Sequence, residues 1–250
     1  MAIDKAVDSA LLDNALAATA EKIREKTGST EEIEFDMEKG TGFADAVSAI
    51  QTGSGSGDTS GEEILLTGNA TEYSNAKATN LRAYALAHWK TLEKVSFPSV
   101  ITVNGAYAMI GCTALKEVYM PKLETAEDGL FQDCTGLERV MLESLVQANI
   151  RFTYNCKSIK EIILPAVTMI ERGAFNGCTS LQTVVLKSNT VCSLENVSAF
   201  TSTPFASGGT GGTVYVPSAL IESYQTATNW STLYAAGTCD FVAIEGSEYE

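Results

Sequence analysis

Residues 172–186 read RGAFNGCTSLQTVVL. A thiol three residues ahead of a core leucine serves equally as nucleophile, metal ligand or packing group, so one copy of this stretch decides nothing. The flanking sequence decides it. MIGCTALKEVYMP ends at Pro121, FQDCTGLERVMLE at Glu143, TYNCKSIKEIILP at Pro165 and FNGCTSLQTVVLK at Lys187. Cys112, Cys134, Cys156 and Cys178 therefore follow one another at intervals of 22 residues. Each is followed by x-x-Leu/Ile and then by x-x-Val/Ile-x-Leu/Met. An earlier copy, LAHWKTLEKVSFP, places Trp89 in the cysteine position, 23 residues before Cys112. A fixed period in this range is the mark of a solenoid, and the four thiols read as one rung each of a structural ladder.

Each rung carries a short strand: Lys94–Phe97, Glu117–Met120, Arg139–Leu142, Glu161–Leu164 and Thr183–Leu186. Alternation turns Val95, Val118, Val140, Ile162 and Val184 inward, on the side of Phe97, Met120, Leu142, Leu164 and Leu186. Leu92, Leu115, Leu137, Ile159 and Leu181 enter the core just before. One rung cannot bury this face alone, so the strands are expected to stack in parallel about 4.8 Å apart.

Charge supports the stack. After the core leucine the rungs read Glu93, Lys116, Glu138, Lys160, Gln182, and at the next position Lys94, Glu117, Arg139, Glu161, Thr183. Opposite signs succeed one another down both columns, which in-register strands favour. A third column, Ser96, Tyr119, Met141, Ile163, Val185 and Tyr215, alternates with the inward residues. It is expected to face outward as a largely apolar stripe, the candidate contact surface of the molecule. Tyr119, Met141, Ile163, Val185 and Tyr215 are its members of interest.

Outside the repeats the chain changes character. Leu12, Leu16 and Ile23 recur at helical spacing across residues 4–27, and a second short helix is expected over Phe43–Ile50. Residues 1–50 thus read as a helical attachment or oligomerisation segment. Residues 51–61, QTGSGSGDTSG, are a flexible Gly/Ser linker. Residues 62–250 form the solenoid, with EEILLTG as an initial strand and a cap from about 195 to 250. In the cap, a strand at Thr213–Val216, a helix start at Pro217 and a helix over Ser218–Ala227 are expected, with Tyr224 and Trp230 plugging the last rung.

Composition narrows the function. The 250 residues carry a net charge of −14, which argues against nucleic acid and anionic lipid as partners. No stretch of about 18 apolar residues is present, so no membrane insertion is expected. The N-terminus lacks a basic start followed by an apolar core, and the six cysteines then read as reduced thiols. The single histidine, His88, aligns with Gly111, Asp133, Asn155 and Gly177 and reads as a turn residue. No metal-binding or nucleotide-binding motif occurs, so no cofactor and no catalysis are expected.

The motif GAFNGCTSLQTVVL, its relatives above and the ending VYVPSALIESYQTATNW resemble the BspA-like leucine-rich repeat family, over roughly residues 62–235. The resemblance implies a surface or secreted bacterial protein of adhesion and host contact. The N-terminal stretch is similar to segments of structural proteins from phages of Gram-positive gut bacteria, through Ile23, Arg24, Lys26, Thr27, Gly28, Thr30, Ile33 and Phe35. That second resemblance implies a virion protein of tail or capsid, docked on other virion proteins through residues 1–50. Its solenoid would contact a host cell-surface protein or glycan. The expectation is thus a non-catalytic leucine-rich-repeat binding protein on a phage particle. A bacterial surface or secreted adhesin, and a virion decoration protein that associates with its own copies, are the alternatives.

Overall fold

Apolar residues alternating every second position, repeated every coil, produce two parallel strand ladders in the computed structural model, which describes residues 71–250. These residues lie within one compact unit, Thr59–Glu250. The front ladder comprises β1 (Glu72–Ser74), β3 (Lys94–Ser96), β5 (Glu117–Tyr119), β6 (Arg139–Met141), β8 (Glu161–Ile163), β10 (Thr183–Val185), β12 (Gly212–Val216) and β13 (Cys239–Ala243). The second ladder comprises β2 (Asn80–Arg82), β4 (Thr102–Asn104), β7 (Gln147–Ala148), β9 (Met169–Ile170) and β11 (Ser193–Leu194). Pairing is parallel and in register: Tyr73 opposes Val95, Val95 opposes Val118, and Val140, Ile162, Val184, Val214 and Phe241 form one inward row. In the second ladder Leu81 opposes Val103, and Ala148, Ile170 and Leu194 continue the row.

Three features go beyond the sequence reading. The returns between front strands are not loops alone, because a second ladder runs through them, with Leu81, Val103, Ala148, Ile170 and Leu194 buried. A front strand also precedes the recognisable motif: Glu72–Ser74 forms β1 without a cysteine or leucine signature. Among the described residues the α-helices, α1 (Ile221–Thr226) and α2 (Trp230–Ala235), lie at the C-terminal end. Over the described residues the fold is therefore a β-solenoid with a short C-terminal helical cap. The helices expected within residues 1–50, the linker 51–61 and the initial strand at 62–68 fall outside the described residues.

The cysteine ladder has a specific hydrogen-bonding role. Each thiol donates to a backbone carbonyl one coil earlier: Cys112 to Leu86 at 3.0 Å, Cys134 to Met109 at 3.1 Å, Cys156 to Phe131 at 2.9 Å and Cys178 to Thr153 at 3.1 Å. Met109, Phe131 and Thr153 already accept the turn N–H of Cys112, Cys134 and Cys156 in their own coil. The thiol fills the second acceptor site of a buried carbonyl while remaining small and apolar enough for the core. All six cysteines are free and buried.

The turn that precedes each front strand requires left-handed backbone at two positions. Tyr84, Tyr107, Gly129, Arg151 and Gly173 occupy the first, and His88, Gly111, Asp133, Asn155 and Gly177 the second, all at positive φ. His88 is thus the turn residue that its alignment indicates.

The cap closes the last coil through polar contacts as well as apolar ones. A terminal rung leaves backbone groups and apolar surface without a following coil. The Cys192 N–H donates to the Tyr224 hydroxyl at 2.8 Å, and the Trp230 indole N–H donates to the Cys192 carbonyl at 2.7 Å. Both rings are wholly buried, and Phe241 of β13 packs against each. The strand at Gly212–Val216 and the helical turn after Pro217 match expectation, the latter as a 3-10 turn, Ser218–Leu220, leading into α1.

Candidate binding face

The outward column of the front ladder divides into two halves. Tyr119 and Met141 stand open, 57% and 44% exposed. Ile163 and Val185 do not: they are 3% and 0% exposed, because the chain beyond β13 folds across them. Ile244 packs on both, together with Tyr215 and Tyr249, whose rings lie 4.6 Å apart. The tail is held by Glu245, which accepts from the Ser218 N–H at 3.0 Å, and is turned within itself by Ser247, which donates to the Ile244 carbonyl at 2.6 Å. Backbone N–H groups, its own and that of Ser218, hold the Glu245 carboxyl below its ordinary range. Burial against the face, with the Glu161 carboxylate beside it, pushes the Tyr249 phenol up to about 12. The five candidate residues are thus split: Tyr119 and Met141 present a surface, whereas Ile163, Val185 and Tyr215 seat the tail.

Between the two open residues the ladder is interrupted. β5 ends one sheet and β6 ends the next, so Glu117–Tyr119 and Arg139–Met141 are consecutive in the stack without strand pairing. The charge columns mark the same place. Lys94 pairs with Glu72 and Glu117 at 3.8 and 3.3 Å, and Lys116 with Glu93 at 2.9 Å. Beyond the gap Arg139 pairs with Glu161 at 2.9 Å and Lys160 with Glu138 at 3.5 Å. Among the described residues no ion pair joins Lys116 to Glu138 or Glu117 to Arg139, the two contacts that an unbroken stack would add. A depression of about 600 Å³ lies here, with Ser96, Tyr119, Met141, Lys94, Lys116 and Arg139 on its walls. Two outward apolar side chains ringed by cations and carboxylates suit recognition of a surface group, not bond chemistry.

Five of the six buried thiols are equally unsuited to chemistry; the exception, Cys112, is lowered from its ordinary range by hydrogen bonding with the Cys134 side chain. Burial raises the Cys134 and Cys156 thiols well above the ordinary range and pushes Cys178 up to about 11 and Cys192 and Cys239 up to about 12. A reactive cysteine needs the opposite shift. Among the described residues no group of three His, Cys, Asp or Glu side chains is placed to hold a metal ion, and no helix is long and apolar enough to cross a membrane.

Stacked parallel coils, a Leu/Ile-lined core and one turn per rung define a leucine-rich-repeat protein, a non-catalytic scaffold. More narrowly, the chain belongs to the BspA type leucine rich repeat family, whose model matches residues 79–205 in 6 copies. No curated protein matches it. Among solved structures it is similar to a leucine-rich repeat protein of T. pallidum, at 26% identity, TM-score 0.45, over 47% of this chain and 59% of that one. It is also similar to a leucine rich cell surface protein of Faecalibacterium prausnitzii, at 16% identity, TM-score 0.43, over 60% and 56%. A leucine-rich repeat protein of Bacteroides ovatus matches at 19% identity, TM-score 0.39, over 71% and 55%. The chain spans less than two thirds of each of these proteins. The residues that carry the phage resemblance, Ile23 to Phe35, lie outside the described residues.

Proposed function

We propose that this chain is a recognition module displayed on or released from a bacterial cell, and that its front face binds a host surface protein or glycan. The observation that carries the reading is the open pair Tyr119 and Met141 across the interrupted ladder, above a charged depression. Membership of a repeat family associated with adhesion supports it. Large apolar side chains left in water beside paired charges have the composition of a contact centre with a polar rim. On the same reading residues 1–50 attach the solenoid to its carrier and residues 51–61 act as its tether.

The test is a Tyr119→Lys/Met141→Lys variant assayed for adhesion to host cells. Both side chains already face water, so unfolding is expected at the wild-type temperature while adhesion falls. Unchanged adhesion overturns the reading. A change of oligomeric mass, measured by light scattering, shows instead that the face meets a second copy of the chain.

A further inference from the structure

The front ladder ends on an unprotected strand. β13 is the last strand of its sheet and has five residues, where β6, β8 and β10 have three. Along a strand, the backbone N–H and C=O groups of successive residues point to alternate sides. The Gly212 N–H donates to the Thr238 carbonyl and the Ile244 N–H to the Val216 carbonyl, so the even-numbered residues here turn their polar groups to β12. Those of Cys239, Phe241 and Ala243 point away from it and have no hydrogen-bond partner among the described residues. Proteins blunt such an edge with proline, lysine, a bulge or a covering segment. The sequence CDFVA holds neither proline nor lysine, and its pairing with β12 runs without a bulge. Ile244 turns the tail back over Val185 and Ile163, away from the free side.

Apolar surface accompanies the open edge on both faces of the strand. Val242, on the outward face, is 40% exposed. Tyr234 of α2, whose ring stands 6.0 Å from that of the inward Phe241, is 41% exposed. The edge is also self-complementary. Set antiparallel to itself about a two-fold axis at Phe241, β13 brings the Phe241 N–H and C=O against those of Phe241 in a second copy, and Cys239 against Ala243. Every unpaired group then meets its complement, because alternate residues are the hydrogen-bonded ones in an antiparallel ladder. On the outward face Asp240 stands opposite Val242 of the second copy, so no like charges are directly opposed.

We propose that two copies of this chain pair through β13 in that register, joining their front sheets into one. An isologous contact of this kind closes at two copies. Directly opposite residues of an antiparallel ladder share a face, so the two front faces look the same way and present two Tyr119–Met141 surfaces to one target. That bivalency rests on the binding role proposed above; the pairing does not. The experiment is light scattering on the full chain across micromolar concentrations, with an expected mass of two chains. Val242→Asp sets like charges directly opposite at two symmetric places and is expected to weaken pairing about tenfold. Asp240→Lys/Val242→Asp restores opposite signs across the two-fold axis and is expected to recover it. Ala243→Pro removes an N–H that the single chain leaves unpaired and is expected to give single chains. Circular dichroism is expected to show each variant folded. Val146→Asp, the same charge at an exposed position beside β7, is expected to pair as wild type. A wild-type mass of one chain overturns the proposal, as does a mass that grows past two. So does a dimer indifferent to Val242→Asp and Ala243→Pro, or a double variant that does not recover. Mass decides the pairing and host-cell adhesion decides the binding role, so either can fail without the other.

Discussion

The Cys156 thiol donates to the Phe131 carbonyl at 2.9 Å, across a gap of 25 residues in sequence but a single coil in space. That bond is the reason for a cysteine at this position. Alanine there removes the donor and leaves a small cavity. Cys156→Ala is expected to lower stability by about 1–3 kcal/mol, and Cys156→Ser by less because its hydroxyl still donates. Urea unfolding followed by circular dichroism measures both; equal losses in the two variants would show that volume alone matters.

The raised thiols make the fold alkali-sensitive. Above pH 9 an unfolded cysteine has released its proton, whereas Cys178 in the fold keeps its own until about pH 11. The native state then binds more protons than the unfolded state, so stability is complete below pH 9 and declines as pH rises towards 11. Each such thiol contributes a slope of about 1.4 kcal/mol per pH unit in that window. Chemical denaturation at pH 8, 9 and 10 is expected to show the decline, and Cys178→Ala is expected to reduce its slope.

Lys94 lies between Glu72 and Glu117, and all three side chains are substantially exposed. Such pairs contribute little, below about 1 kcal/mol each. Lys94→Glu is expected to lower the unfolding temperature slightly in dilute buffer, and high salt is expected to erase the difference. A deficit that persists in salt would place the cause in packing.

Ile244 and Tyr249 cover Ile163 and Val185. The Ile244→Ser/Tyr249→Ser variant is expected to uncover that apolar strip, raise the fluorescence of a bound hydrophobic dye and cost about 2 kcal/mol. Dye fluorescence unchanged from wild type would show that the tail stays seated without them.

Trp230 fills the end of the stack and donates to the Cys192 carbonyl. Trp230→Ala is expected to cost about 3–5 kcal/mol. In a solenoid each coil leans on its neighbours, so the loss is expected to open the C-terminal coils first. Hydrogen exchange accelerated at Thr183–Val185 before Lys94–Ser96 is the diagnostic result.

Much of this architecture is legible in the one-dimensional pattern. The 22-residue interval between cysteines sets the coil length, and the Val/Ile positions set the register of β3, β5, β6, β8 and β10. The salt bridges within each half of the charge columns follow from the same repeat. The second ladder was less visible, although Val100, Leu123, Leu145 and Val167 recur near the coil period and are all buried. Strands of two or three residues are too short to show an alternation of their own. β1 carries neither the cysteine nor the leucine and is found only through its pairing with β3.

The amino-acid sequence by itself determined the repeat, the inward rows and the acceptable neighbours in each charge column, because these depend on residues recurring at one spacing. Tertiary structure alone decided which part of the apolar stripe meets water. Ile163 and Val185 have the same strand alternation as Tyr119 and Met141, yet a non-repetitive tail lies across the first pair and leaves the second open. It also decided where the ladder breaks, between β5 and β6, where both charge columns continue without interruption on paper. Periodicity describes what one coil does to the next; coverage by a distant segment and failure of one pairing are events that occur once, and no repeating pattern encodes them.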